Sequence, residues 1–327
     1  MAGLLDTFHR RIDYMRISVT DRCNLCCIYC TERLVPHLPH YDILRYEEIH
    51  RVVQAAAKLG VKSLRITGGE PLVRPNLSTL VELLVQVDGI DDVSLTTNGT
   101  LLSRYAAELK AAGLKRVNIS LDTFKADRFK YITGSDKLKD VLSSIEAAKK
   151  AQLTPVKINV VVMRGVNDDE LPDFARMSIS EGWHVRFIEE MPLVVSEPGG
   201  NKLVAVKEMM TTIQESLGRL EPCLTTSGKG PAKYYQLPHA EGTIGFIGPV
   251  TECFCATCNR FRLTADGRLR PCLLEDDEID IKGPLRDGAT IDELQGLIRQ
   301  VVALKRERHR LGGDFVPGQR QMWQIGG

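Results

Sequence analysis

The chain has 327 residues, 43% hydrophobic and 26% charged, with a formal net charge of +1, enough apolar material for one large core or for a main domain and a smaller one. The near-neutral balance excludes the broad cationic field of a protein built for duplex nucleic acid or an anionic membrane, so any anion site has to be assembled locally. No apolar stretch reaches the roughly 18 residues of a membrane span, and residues 1–14 lack the apolar core of a signal peptide; a cytoplasmic protein is expected.

Between Tyr14 and Met191, short alternating runs exchange with helix-patterned stretches, the pattern of repeated strand–helix units and a parallel sheet. Strands are expected at 14–20, 62–67, 91–97, 116–121, 156–163 and 184–188, with helices between them at 46–59, 76–87, 101–112, 138–151 and 168–181. One strand phase is apolar, running from Met15, Ile17 and Leu64 through Val117 and Ile158 to Phe187. The other carries Arg16, Ser18, Arg65, Thr67, Ser94, Thr96, Asn118, Ser120, Lys157, Asn159, His184 and Arg186. Closed barrels fill their interior with branched apolar side chains, and parallel sheets are seldom bare on one face. A polar inner phase therefore points to a wider, incomplete (β/α)6 TIM-type barrel whose lumen holds a ligand.

The barrel domain is expected to span residues 1–193, followed by a connector at 194–202 (VVSEPGGNK) and a smaller C-terminal α+β domain at 203–327. The C-terminal region reads as a helix near 206–217, β-like runs at 233–237 and 243–247, two strands at 260–264 and 268–272 flanking an Ala265-Asp266-Gly267 hairpin signal, and a helix at about 291–305.

Nine cysteines, eight of them in two tight groups, are poor material for a disulfide framework and point to metal ligation. Cys23, Cys27 and Cys30 have C-x3-C-x2-C spacing directly after the first expected strand, where barrel enzymes keep their chemistry. Three thiolates hold a 4Fe-4S cluster with one iron left open, and an open position marks a reactive site rather than a structural one. Cys26 lies inside the motif and reads as a free thiol. Cys255, Cys258 and Cys272 repeat the arrangement, with Cys253 the local candidate for a fourth ligand. Zinc is the competing reading for both groups.

Arg260 and Arg262 follow Cys258 at strand spacing and leave one face together. With Arg16, Arg65, Lys157 and Arg186 they bring six cations to one cavity, which demands a compensating polyanion. Guanidinium forks suit phosphate oxygens, and a nucleoside triphosphate meets the requirement, although the phosphate-binding loop of ordinary nucleotide hydrolases is absent.

The run Arg22-Cys23-Asn24-Leu25-Cys26-Cys27-Ile28-Tyr29-Cys30 resembles the signature of the radical S-adenosylmethionine superfamily, and Thr67-Gly68-Gly69-Glu70-Pro71 resembles its glycine-rich turn. Both cysteine groups, together with Leu-Thr-Thr-Asn-Gly, Asn-Ile-Ser-Leu-Asp, Arg-Phe-Ile-Glu and the terminal Gly-Gly, resemble the GTP 3',8-cyclase family along nearly the whole chain. The resemblance implies two 4Fe-4S clusters and S-adenosylmethionine as cofactors. Contacts to the latter would fall on Tyr29, Gly69, Ser120 and Met191, and GTP contacts on Arg16, Arg65, Thr96, Lys157, Arg260 and Arg262, to which the inward strand phase adds Arg186, with Arg16, Arg260 and Arg262 assigned to catalysis. It further implies that a deoxyadenosyl radical takes hydrogen from ribose C3', that the carbon radical closes onto guanine C8, and that the second cluster holds the guanine. A flexible Gly326-Gly327 tail would enter the active site. Implied partners are a reduced flavodoxin or ferredoxin and a cyclic pyranopterin monophosphate synthase that receives the product, with the enzyme a monomer or homodimer. Two positions depart from the family pattern: Ser63, where lysine is usual, and Cys26. A radical peptide-modifying maturase with an auxiliary cluster is the alternative reading.

Overall fold

Alternation of apolar and polar side chains builds the strands of the first half, and helices of amphipathic pattern cover one face of them. In the computed structural model, which describes residues 3–30, 37–193, 202–224, 230–311 and 320–326, the six expected strands are β1 (Tyr14–Ser18), β2 (Ser63–Thr67), β3 (Asp92–Thr97), β4 (Arg116–Ser120), β5 (Lys157–Val162) and β6 (His184–Glu189). Between them run α1 (Tyr46–Lys58), α2 (Leu77–Val85), α3 (Leu102–Ala111), α4 (Ala126–Thr133), α5 (Leu138–Lys150) and α6 (Leu171–Ser180). Helix α4 is absent from the expected elements: its sequence ADRFKYIT buries only Phe129, Ile132 and Thr133, too few for a clear period. Three residues of 3-10 helix, Asp168–Glu170, precede α6 where one continuous helix is expected.

The remaining residues supply α7 (Val206–Leu217), β7 (Glu221–Pro222), β8 (Lys233–Gln236), β9 (Thr243–Ile247), β10 (Arg260–Leu263), β11 (Arg268–Arg270), β12 (Ile279–Asp280), α8 (Lys282–Arg286), α9 (Ile291–Ala303) and α10 (Met322–Ile325). Helix α9 starts with a capping box, in which Glu293 accepts from the Thr290 amide at 2.7 Å and the Thr290 hydroxyl accepts from the Glu293 amide at 3.3 Å.

All twelve strands form one sheet in the order β12-β11-β10-β1-β2-β3-β4-β5-β6-β9-β8-β7. The C-terminal residues thus continue the barrel sheet at both edges: β10 lies parallel to β1 and β9 parallel to β6. Neighbouring strands in register share a face, so Arg262 pairs with Arg16, Arg16 with Arg65, and Arg65 with Ser94 across four adjacent strands. The hairpin signal is realised, with Arg262 opposite Arg270 and Leu263 opposite Leu269. The apolar phase, including Met15, Ile17, Leu64, Ile66, Val117, Ile119, Ile158 and Phe187, is buried among the helices.

Candidate active site

The polar phase encloses a cavity of about 330 Å3, within the range of small-molecule sites. Its lining includes Cys23, Cys27 and Cys30 from the loop after β1, Cys255, Cys258 and Cys272 from the loops around β10 and β11, and Arg16, Arg65, Arg186, Arg260 and Arg262. Tyr29, Gly69, Thr96, Ser120 and Met191 line it as well. Asp122 is the one carboxylate among the described lining residues.

Because β1 and β2 pair in parallel, the cysteine loop and the Gly-Gly turn leave the sheet side by side. The Gly69 amide donates to Thr20 O and the Glu70 amide to Arg22 O, both at 2.8 Å. A Cβ at Gly69 would stand 2.4 Å from Arg22 O, so the turn closes on the cysteine loop only as glycine. Glu70 is fully buried, and its carboxylate accepts from Thr97 Oγ1 (2.7 Å), the Asn98 amide (2.7 Å) and the Leu72 amide (3.0 Å). Burial pushes its pKa up to about 7 against those three hydrogen bonds. Tyr29 donates its hydroxyl to Asp122 Oδ2 at 2.6 Å, while Asp122 Oδ1 accepts from the Val161 amide at 2.8 Å; burial raises Asp122 to about 6.

Burial also raises the thiols of Cys23 to about 11 and Cys30 to about 12, and lifts Cys27 well above the ordinary range. They stay protonated until a metal displaces the protons. At Cys258, burial is outweighed by Arg260 and Lys305, which bring the thiol down to about 7. All nine cysteines are free, and neither Cys26 nor Cys253 lines the cavity; the Cys26 amide donates to Thr133 O at 2.9 Å. Among the described residues, the one set of ligand atoms close enough for a single ion is that of Cys253, Cys255 and His309, within 4.8 Å of one another.

The cations crowd one another. Arg65 Nε donates to Tyr14 Oη at 2.5 Å and its Nη1 to Thr96 Oγ1 at 3.3 Å. Burial, with Arg260 beside it, brings Arg262 down to about 10, and burial with Arg262 nearby drives Arg16 well below the usual guanidinium range. Arg186 donates to Asn118 Oδ1, and its Nε has no hydrogen-bond partner among the described residues. Lys157 does not line the cavity: it lies two residues before the lining Asn159 on β5, with Nζ 3.4 Å from Tyr234 Oη. Lys62, the neighbour of Ser63, is turned outward to Asp91 at 3.6 Å.

The chain's end reaches the same cavity. Arg320 pairs with Asp266 (2.8 Å) and Glu278 (2.6 Å), Met322 and Trp323 join the lining, and Arg262 Nη1 donates to Gly326 O at 2.5 Å. Gly327 and the connector residues 194–201 lie outside the described residues.

Several site residues escape the sequence reading. Tyr14 shares the parity of Arg16 and Asp122 that of Ser120, so alternation extended by one step finds both. Lys305 and His309, beside the second cysteine trio, carry no strand parity, and only their four-residue spacing links them.

A family model described as "Radical SAM superfamily" matches residues 17–178, and one described as "Molybdenum Cofactor Synthesis C" matches residues 183–311. The GTP 3',8-cyclase of Pelotomaculum thermopropionicum is 51% identical over 324 residues, 98% of this chain and 99% of that protein; that of Moorella thermoacetica is 50% identical over 323 residues, 98% and 99%. Among solved structures, Streptococcus suis SuiB bound to precursor peptide SuiA superposes with a TM-score of 0.64 at 15% identity, covering 88% of this chain and 66% of that one. At that identity the likeness bears on the fold alone. A radical SAM barrel with two cysteine trios on one cavity and half-identity relatives of matching length lead to one conclusion: the chain belongs to the radical SAM superfamily and, within it, to the GTP 3',8-cyclase family.

Proposed function

We propose that this protein converts GTP to (8S)-3',8-cyclo-7,8-dihydroguanosine 5'-triphosphate, the opening step of molybdenum cofactor synthesis. The observation that carries the reading is a single cavity lined by two cysteine trios and five arginines, with Asp122 the one carboxylate among the described lining residues. Cys23, Cys27 and Cys30 would hold one 4Fe-4S cluster and Cys255, Cys258 and Cys272 the other. When bound, the first cluster with S-adenosylmethionine supplies one-electron cleavage of the sulfonium and so a carbon radical.

The chain's own residues do the rest. The Gly69 turn and Ser120 offer backbone and hydroxyl groups to the methionine end of the cofactor, Tyr29 is fixed by Asp122, and Met191 lies against the same space. Arg16, Arg65, Arg186, Arg260 and Arg262 hold the triphosphate through charge-assisted hydrogen bonds, with Thr96 and Lys157 supporting them. Arg16, Arg260 and Arg262, from adjacent strands, fix the nucleotide with the second trio beside it. Orientation of this kind is what a radical closure between two parts of one molecule needs. The Gly326 tail enters through its contact with Arg262.

Ser63 leaves one family phosphate contact unfilled. Cytoplasmic location, a reduced flavodoxin or ferredoxin as donor, hand-over to a cyclic pyranopterin monophosphate synthase and a monomer or homodimer complete the reading; no helix among the described residues is long and apolar enough to cross a membrane. A peptide-modifying maturase would share the barrel but leave the arginines uncompensated.

The test is anaerobic incubation of reconstituted protein with S-adenosylmethionine, dithionite and each nucleoside triphosphate separately, read by mass spectrometry. A cyclised product from GTP alone is expected. Deoxyadenosine released with every nucleotide and no cyclised GTP rejects the assignment.

A further inference from the structure

Behind the second cysteine trio lies a short segment that the proposed reaction does not use. Helix α9 packs against α1 and buries Leu294, Ile298, Val301 and Val302; the chain then leaves the helix and runs past Cys255 and Cys258. Lys305, only 5% exposed, sits at this exit. Its Nζ donates to Cys258 Sγ at 3.7 Å and to the carbonyls of Arg260 and Pro271, both at 2.8 Å. These three contacts use all the donors of an ammonium, and none goes to a carboxylate. A buried cation so placed needs a negative group beside it, and the sulfur of Cys258 is the one its donors reach.

Four residues on, His309 lines the cavity. Its Nδ1 accepts from the Leu311 amide at 3.2 Å, so the neutral ring carries its hydrogen on Nε2. That Nε2 is buried, has no hydrogen-bond partner among the described residues, and belongs to the ring gathered with Cys253 and Cys255. With its hydrogen there, Nε2 has no lone pair to offer a metal ion and is free to donate to a sulfur acceptor.

The segment is pinned in place. Arg10 donates to the carbonyls of Cys255 (2.8 Å), Arg306 (2.7 Å) and Glu307 (3.1 Å), tying the cysteine loop to the residues between Lys305 and His309. Arg306 pairs with Glu275 at 3.0 Å, three residues beyond Cys272.

We propose that Lys305 and His309 are positioning residues of the second cluster, donating N–H groups to the sulfurs of Cys258 and Cys255 and holding that cluster in a more easily reduced state. The inference rests on the reading of Cys255, Cys258 and Cys272 as cluster ligands. A cation and a hydrogen-bond donor at thiolate sulfur stabilise the form that carries the extra electron, and hydrogen bonds to sulfur are among the determinants of cluster potential.

The experiment is a redox titration of the anaerobic holoenzyme followed by electron paramagnetic resonance, with the first cluster as internal reference. Lys305→Met and His309→Phe shift the second-cluster midpoint to more negative potential and leave the first unmoved, while Lys305→Arg and His309→Gln restore part of the shift. If Lys305→Met does not fold, the His309 pair decides. An unmoved midpoint with both clusters present overturns the proposal, as does a nitrogen hyperfine coupling that makes His309 a ligand. Iron sufficient for one cluster in the unaltered protein instead defeats the proposed function itself, so the two failures are told apart.

Discussion

Lys157 stands among like charges. Burial, then Arg186, Arg116 and Arg65, bring its ammonium down to about 6, with Asp92 opposing. Its ordinary value is 10.5, so between about pH 6 and 10.5 the unfolded chain holds a proton at Nζ that the native protein lacks. Native stability therefore rises with pH across that window, and the penalty is complete below 6. A bound triphosphate reverses the balance by favouring the charged amine. GTP binding near pH 7.5 should take up a proton, seen as a binding heat that changes between phosphate and Tris buffers, and Lys157→Met should abolish the difference and weaken GTP about 10- to 100-fold. Equal heats in the two buffers would remove Lys157 from triphosphate recognition.

Glu189 shows how one element is fastened to the next. It ends β6 fully buried, and its carboxylate accepts from the amides of Val206 (3.0 Å), Val250 (2.9 Å) and Thr251 (2.9 Å). One side chain thus joins the last barrel strand of the first half to the start of α7 and to the loop after β9. Glu189→Ala strands these three backbone donors, and the Thr251 hydroxyl with them, and should lower stability by about 3 kcal/mol, read as a fall in melting temperature with the helical circular dichroism of the cold protein intact. The barrel strands and most helices were legible because periods of two and 3.6 are written in side-chain polarity, and parity alone carried Arg16, Arg65 and Arg186 to the lumen. Partnerships made across the fold were not: nothing near Glu70 announces Thr97 and Asn98 as its donors, and nothing near Lys305 announces Cys258. Lys157 shares the inward phase, and what parity could not show is that its Nζ lies 3.4 Å from Tyr234 Oη, two residues before the lining Asn159. The edge pairings of β9 and β10 were equally hidden, since strand order is a property of the sheet and not of any segment.

At the level of the whole molecule, the far end of the chain returns to the middle of the sheet. Arg320 clips the returning segment to Asp266 and Glu278, and Gly326 fits with a φ of 70° where a Cβ would stand 2.4 Å from Thr67 Oγ1. Gly326→Val is sterically barred from that place, so cyclised product should fall about 100-fold while deoxyadenosine release continues. Quantifying both products in one anaerobic assay checks this, and full turnover after removal of the last two residues would show the tail to be dispensable.

The pairing of β1 with β10 also imposes a timetable on biosynthesis. Tyr14 emerges from the ribosome early, but its neighbour Arg260 is not made until most of the chain has been translated. Throughout that interval the nascent protein bears a bare strand edge of the kind that invites aggregation. The loop holding Cys23, Cys27 and Cys30 leaves the ribosome long before Cys255, Cys258 and Cys272 exist, so translation itself orders when each set of thiols first becomes available to iron.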